Sequence, residues 1–218
     1  MTACAADAAT RENPFSRERG GERAECGGGR DVLLICGSVR RRGVSARYAD
    51  ELAARLEGAG ARVIRWNTAD RDVADCIGCA ACRPDEAACF ASDARHAACV
   101  IDDDMGDLYR LLDAADEVHL VCPVYFAGPT GRFKCVLDRL QPYWEWRIGP
   151  AARLNRSCEV KRPVHLHVIG AGGDPFGYDA LVSIVRSAFG SAGFFIADVV
   201  ERIGWGQPGE EDAKQRFS

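Results

Sequence analysis

From Asp31 onward the chain alternates short apolar runs with stretches of helical spacing. Val32 to Cys36 is an apolar run that reads as a buried parallel strand, ended by Gly37 and Ser38. Ser45 to Leu56 sets Tyr48, Leu52 and Leu56 on one helical face, and Gly58 and Gly60 stop it. Ala61 to Trp66 is a second strand. After a cysteine-rich stretch, Met105 to Ala114 has helical spacing, and Asp102 to Asp104 bring carboxylates to its N-terminus, where the helix dipole favours negative charge. Glu117 to Cys122 predicts a third strand, Thr130 to Leu140 a helix, Val164 to Gly170 a strand, Asp179 to Phe189 a helix and Phe194 to Val200 a last strand. Five strands alternating with helices predict an α/β domain: a doubly wound, five-stranded parallel sheet with helices on both faces.

Residues 1–30 mix both signs of charge with three consecutive glycines and carry no apolar period, so they read as a disordered leader. They also lack the apolar core of a secretory signal, which predicts a cytoplasmic protein. The folded unit is expected over residues 31–204, with a cysteine-rich insert at 75–102, and 205–218 reads as a polar tail. The longest apolar runs are too short to cross a bilayer. A net charge of −4 and one short basic triplet, Arg40 to Arg42, argue against nucleic acid as a partner.

In a doubly wound sheet, ligands bind outside the carboxyl ends of the strands, so the loops after strands one, three and four are the candidates. The first, Gly37 to Ser45, runs from a strand into a helix N-terminus. Its backbone N–H groups, the Ser38 and Ser45 hydroxyls and an arginine would cradle a phosphate; the plainer reading is a solvated turn with Ser45 as N-cap. The second, Pro123-Val124-Tyr125-Phe126-Ala127-Gly128-Pro129-Thr130, puts two aromatic rings directly after a buried strand. They either face a flat ligand or pack under the next helix. In the third, Gly172 and Gly173 allow close backbone approach to a ligand, or make a tight turn.

Taken together, Gly37-Ser38-x-Arg40-x-x-Gly43-x-Ser45, Cys76-x-x-Cys79-x-x-Cys82, Asp103-Asp104-Met105, Pro123 to Phe126, and Lys134 with Asp138-Arg139 resemble the NAD(P)H-dependent FMN reductase branch of the flavodoxin-like superfamily. The resemblance runs from about Asp31 to Val200. It implies a flavodoxin-like fold, with Ser38, Arg40, Gly43 and Ser45 on the FMN phosphate. Pro123, Val124, Tyr125, Phe126 and Gly128 would line the isoalloxazine, and Gly172 and Gly173 would approach the ring. Val44 departs from the Asn common at its position and removes one polar contact. The resemblance further implies NAD(P)H as electron donor, a small-molecule or protein acceptor, and a homodimer or higher homo-oligomer.

Five of the 11 cysteines fall between Cys76 and Cys99, which reads as metal ligands or redox thiols. Within the FMN reductase branch this pattern is similar to the iron-sulfur flavoproteins, implying a [4Fe-4S] cluster on Cys76, Cys79, Cys82 and Cys89, with Cys99 competing as the fourth ligand. Structural zinc on Cys76, Cys79 and Cys82 with Cys89 or His96, or free thiols, are open alternatives, as is a non-enzymatic electron carrier or redox sensor. Cys36, Cys122 and Cys135 read as small buried hydrophobes. His119, His165 and His167, on strands, read as structural. Tyr143 to Arg147 reads as a dimer contact, a wall of the substrate site, or core.

Overall fold

The computed structural model describes residues 29–83, 99–149 and 161–205. Five strands, β1 (Asp31–Cys36), β2 (Arg62–Asn67), β3 (Glu117–Pro123), β4 (Arg162–Gly170) and β5 (Phe194–Ile203), form one sheet in the order β2-β1-β3-β4-β5. Every pairing is parallel. The strand order reverses between β1 and β3, which opens a crevice at the carboxyl ends of those two strands.

Among the described residues, five α-helices cover the sheet: α1 (Val44–Gly58), α2 (Met105–Ala114), α3 (Gly131–Asp138), α4 (Gln141–Arg147) and α5 (Asp179–Ser191). The period-2 alternation of strand residues splits the core into two clusters. Leu33, Ile35, Val118, Leu120, Val164 and Leu166 point toward α2, α3, α4 and α5. Leu34, Cys36, Val121 and Ile169 point toward Tyr48, Ala49, Leu52 and Ala53 of α1. The predicted elements are present with ends shifted by up to three residues.

Two differences bear on the site. The predicted helix Thr130 to Leu140 is α3, which stops at Asp138. A further helix that was not predicted, α4, follows it with Pro142 in its first turn, where a residue without an N–H starts a helix and cannot continue the α3 ladder. Within α4, Tyr143 and Glu145 are buried while Trp144 faces outward, so this aromatic segment is partly core. Asp103 and Asp104, expected at the head of α2, also reach sideways. Asp104 accepts from the Asp72 N–H at 2.8 Å and Asp103 from the Ala74 N–H at 2.9 Å, tying the stem of the cysteine segment to α2.

Candidate functional site

The loop after β1 is built for close approach. Gly37 donates its N–H to the Val121 carbonyl at 2.8 Å, and a Cβ there would meet the Phe133 ring at 2.9 Å, so glycine is demanded by packing. The Ser38 hydroxyl folds back on Arg40, accepting from its N–H at 3.1 Å. Ser38 and Ser45 are buried, whereas Arg40, Arg41 and Arg42 are exposed. Gly43 is the N-cap of α1 in extended backbone, and no side chain caps the helix. The first turn of α1 carries no acidic residue. Arg41 is paired with Asp70 at 3.1 Å, but unclaimed N–H groups, two buried hydroxyls and the exposed Arg40 and Arg42, with no carboxylate in the helix turn, fit a phosphate. The plainer reading of Ser45 as N-cap is corrected: the cap position belongs to Gly43.

Across the crevice, Tyr125 and Gly128 pair in both directions, N–H to carbonyl at 2.9 and 3.1 Å. The two residues between them, Phe126 and Ala127, have φ of 51° and 59°. Both centres of this tight turn are thus left-handed without being glycine, a conformation that costs of order 1–3 kcal/mol each. The Phe126 side chain is 99% exposed at the tip and Tyr125 is half exposed, so neither ring packs under the next helix. Ala127 is held by the Leu181 N–H at 2.9 Å, fixing the turn to the head of α5. A strained turn that holds an aromatic ring in water fits a flat ligand.

Thr130 joins the two loops. Its hydroxyl donates to the Gly37 carbonyl at 3.0 Å and accepts from the Phe133 N–H at 3.3 Å, so the cap of α3 is bolted to the loop after β1. Sequence reasoning did not single out Thr130; the signal was a threonine after Gly128-Pro129 at a helix start. The third loop lies beside them. Gly172 and Gly173 have φ of 86° and 87°, and Phe176 next to them is 81% exposed. The structure thus gathers the predicted loops at one end of the sheet.

The cysteine segment lies on the α2–α5 face. Cys76, Cys79, Cys82 and Cys99 line one cavity of about 380 Å³ with Arg83, Glu145 and Arg139. Cys89 falls outside the described residues. Gly78 and Ala80, with φ of 63° and 59°, turn the backbone between the cysteines. No three of these sulfurs come within 4.8 Å of one another, among the described residues. A tetrahedral zinc ion bonded at about 2.3 Å sets its sulfurs about 3.8 Å apart. The described sulfurs are therefore not drawn together as a bound tetrahedral zinc ion would draw them, while a cubane cluster, which binds each thiolate on a different iron, takes a wider set. Glu145, 3% exposed, accepts from Arg83 Nε at 3.3 Å and Gln141 Nε2 at 3.2 Å, while its other oxygen has no partner among the described residues. Burial and then the Glu145 carboxylate push the Cys82 thiol up.

The remaining cysteine readings divide. Cys36 and Cys122 are buried and burial pushes both thiols up, as inert core residues require. Cys135 differs from its expected place in the core: it is partly exposed, with Sγ 2.7 Å from Asp75 Oδ1, because α3 turns this face toward the cysteine stem. No helix among the described residues is long and apolar enough to cross a membrane.

Two of the three strand histidines, His119 and His167, form a polar chain that ends at Glu117, which the third, His165, also meets through Nε2 at 3.2 Å. Tyr48 Oη meets His167 Nδ1 at 2.9 Å, His167 Nε2 meets His119 Nδ1 at 2.9 Å, and His119 Nε2 meets Glu117 at 2.6 Å. Burial pushes His167 down to about 3 and lowers His119 despite its bond to Glu117.

The model of the NADPH-dependent FMN reductase family matches residues 30–199. An iron-sulfur flavoprotein of Archaeoglobus fulgidus is 31% identical over 109 residues, 50% of this chain and 44% of that protein. Another, of Methanosarcina thermophila, is 33% identical over 91 residues, 40% of this chain and 42% of that protein. The matched segments thus span less than half of these two relatives. Among solved structures, a flavone reductase superposes with a TM-score of 0.56 at 15% identity, over 85% of this chain and 58% of that one. An NAD(P)H:quinone oxidoreductase of Methanothermobacter marburgensis gives 0.53 at 11% identity, over 87% and 90%. These two establish the flavodoxin-like fold. With that fold and a family match over most of its described length, the chain belongs to the NADPH-dependent FMN reductase family.

Proposed function

We propose that the chain is an FMN-dependent oxidoreductase that takes electrons from NAD(P)H or a reduced carrier and passes them to an acceptor. The observation that carries this reading is the left-handed Phe126-Ala127 turn, which holds a fully exposed aromatic ring across the crevice from an uncapped helix N-terminus. Bound FMN supplies hydride acceptance and electron release.

The chain's own residues bind and orient. The N–H groups at the head of α1, with Ser38, Ser45 and Arg40, hold the phosphate, and the absence of a carboxylate in that turn avoids repulsion. Pro123 to Phe126, with Gly128, form one wall for the ring. Gly172 and Gly173 present bare backbone as another, since neither carries a Cβ. Thr130 keeps the phosphate loop and ring loop at a fixed separation. Hydride transfer itself asks for no side-chain acid or base, in keeping with a crevice lined by backbone, hydroxyls and rings.

The cysteine segment belongs to the same proposal as the holder of a [4Fe-4S] cluster on Cys76, Cys79, Cys82 and Cys99. Cys99 is proposed as the fourth ligand because it opens on the same cavity as the other three. Such a centre would supply single-electron steps. Assembly as a homodimer is supported by Phe126 and Phe176, large rings left exposed at the same end of the sheet. The reading is tested by loading the purified chain with FMN and following NADH and NADPH oxidation with a quinone or free flavin as acceptor. Turnover supports a reductase; tight FMN binding without turnover makes the chain an electron carrier.

A further inference from the structure

Glu117 and His119 alternate on β3, and His165 sits opposite His119 in the β3–β4 register. These side chains therefore share one face near the amino ends of the strands, the end opposite the flavin crevice. It is also the face covered by α1, whereas the cysteine segment packs on the other.

The ligand atoms converge. Glu117 Oε1 lies 2.6 Å from His119 Nε2 and 3.2 Å from His165 Nε2, and one donor atom from each of the three residues falls within 4.8 Å of the others. A tetrahedral zinc ion with bonds of about 2.0–2.1 Å sets its ligands about 3.3 Å apart, so small side-chain shifts would admit one. The two imidazole rings are stacked, 15° apart in plane, so both Nε2 atoms address the same carboxylate oxygen.

Each ligand also has an outer partner. His165 Nδ1 meets Asp198 Oδ1 at 2.9 Å, His119 Nδ1 meets His167 Nε2 at 2.9 Å, and the other Glu117 oxygen meets Arg30 Nε at 3.0 Å. Metal-binding histidines characteristically give their second N–H to a carboxylate or another acceptor in this way. The Asp198 partner depends on a bulge: the β4–β5 register shifts between Val164 and His165, bringing Asp198 rather than Ala197 opposite His165. Glu117 and His119 are buried, while His165 is partly exposed and Asp198 half exposed, so the cluster opens to water on one side.

We infer that Glu117, His119 and His165 form a site for a divalent transition ion of the zinc type, with Asp198 and His167 orienting the two imidazoles. Three protein ligands leave a fourth position for water. Binding would reverse the hydrogen-bond chain. Without metal, Tyr48 donates to His167, His167 to His119, and His119 Nε2–H to Glu117. With metal on His119 Nε2, the proton moves to Nδ1, and His119 donates to His167 and His167 to Tyr48. The ion would tie β3 to β4 directly and to β5 through Asp198.

The test is a Co²⁺ titration of the full-length chain, read in the visible spectrum, with Zn²⁺ displacement afterwards. Wild type should bind one equivalent of Co²⁺ that lacks a thiolate charge-transfer band, separating it from the cysteines, and Zn²⁺ should displace it. His165→Gln should lose that equivalent. Asp198→Asn, on an exposed position that folding tolerates, should weaken it by about 10–100-fold. Flavin content should stay the same in both variants. Absence of a sulfur-free equivalent in wild type, or its retention at unchanged affinity in Asp198→Asn, would overturn the site.

Discussion

Arg139 and Asp103 form a bidentate ion pair, Nη1 to Oδ2 at 2.7 Å and Nη2 to Oδ1 at 3.1 Å, with the guanidinium only 1% exposed. The same guanidinium donates to the Ala74 carbonyl at 3.0 Å and the Ile101 carbonyl at 3.4 Å. Ala74 precedes the cysteine segment and Ile101 follows it, so one side chain clamps both stems.

Removing the guanidinium leaves the Asp103 carboxylate without its counter-charge, held only by the Ala74 and Met105 N–H groups, and takes a donor from two carbonyls. Arg139→Ala should destabilise the fold by about 3–5 kcal/mol, the usual cost of breaking a buried pair from one side. Arg139→Lys keeps the charge but loses the fork and should fall between the two. Chemical denaturation of the three proteins checks the order.

The pair also carries a pH dependence. Burial works against the Asp103 charge, but Arg139 and the Ala74 and Met105 N–H groups outweigh it and hold the carboxyl below its usual value. A lowered folded value means that the stabilisation is complete above the unfolded aspartate value of about 3.9 and is lost as pH falls through the lower folded value. The stability gap between wild type and Asp103→Asn should therefore be flat from neutral pH to about 4 and narrow below it. A gap that narrowed between pH 7 and 5 would contradict the assignment.

Gly37→Ala forces a Cβ against Phe133, a ring with no exposure, and should cost about 1–3 kcal/mol while displacing the loop after β1. Trimming the ring in the double variant Gly37→Ala/Phe133→Leu should return part of that loss. Thermal unfolding of the four members of the cycle measures the coupling.

Phe126→Gly relieves a left-handed position without losing packing, because the ring is 99% exposed. The flavin-free chain should gain about 1 kcal/mol, a rise of about 2–4 °C in Tm for a protein of this size. FMN affinity should fall in the same variant, and fluorescence titration reads it. A gain in both stability and affinity would mean that the strained ring has no part in binding.

Much of this arrangement was legible in the sequence. Met105 to Ala114 shows helical spacing that survives unchanged into α2, and Val32 to Cys36 a strand run that β1 extends by one residue, to Asp31. The three loops proposed to hold the flavin were legible because each directly follows a strand, whereas the Thr130–Gly37 and Leu181–Ala127 contacts that join them to distant elements were not. The Glu117–His119–His165 cluster was not, since His119 and His165 meet only through the β3–β4 register, and Asp198 only through a bulge. The start of α4 was missed because Tyr143 to Arg147 reads as an aromatic patch until Pro142 is seen at a helix head.

The cysteines offer a sharper case. Cys99→Ser should strip iron from the anaerobically purified chain, while Cys89→Ser should keep it, since Cys99 shares the cavity with Cys76, Cys79 and Cys82. Iron and acid-labile sulfide assays decide between the two positions.

The most direct test of the account is the visible spectrum of the chain purified without oxygen and reconstituted with FMN, before and after addition of NADPH or NADH. The account predicts flavin bands that bleach on reduction, with Arg40→Ala binding FMN about tenfold more weakly at low salt. It also predicts about four iron and four sulfide per chain. A chain that takes up no flavin even after reconstitution would contradict it.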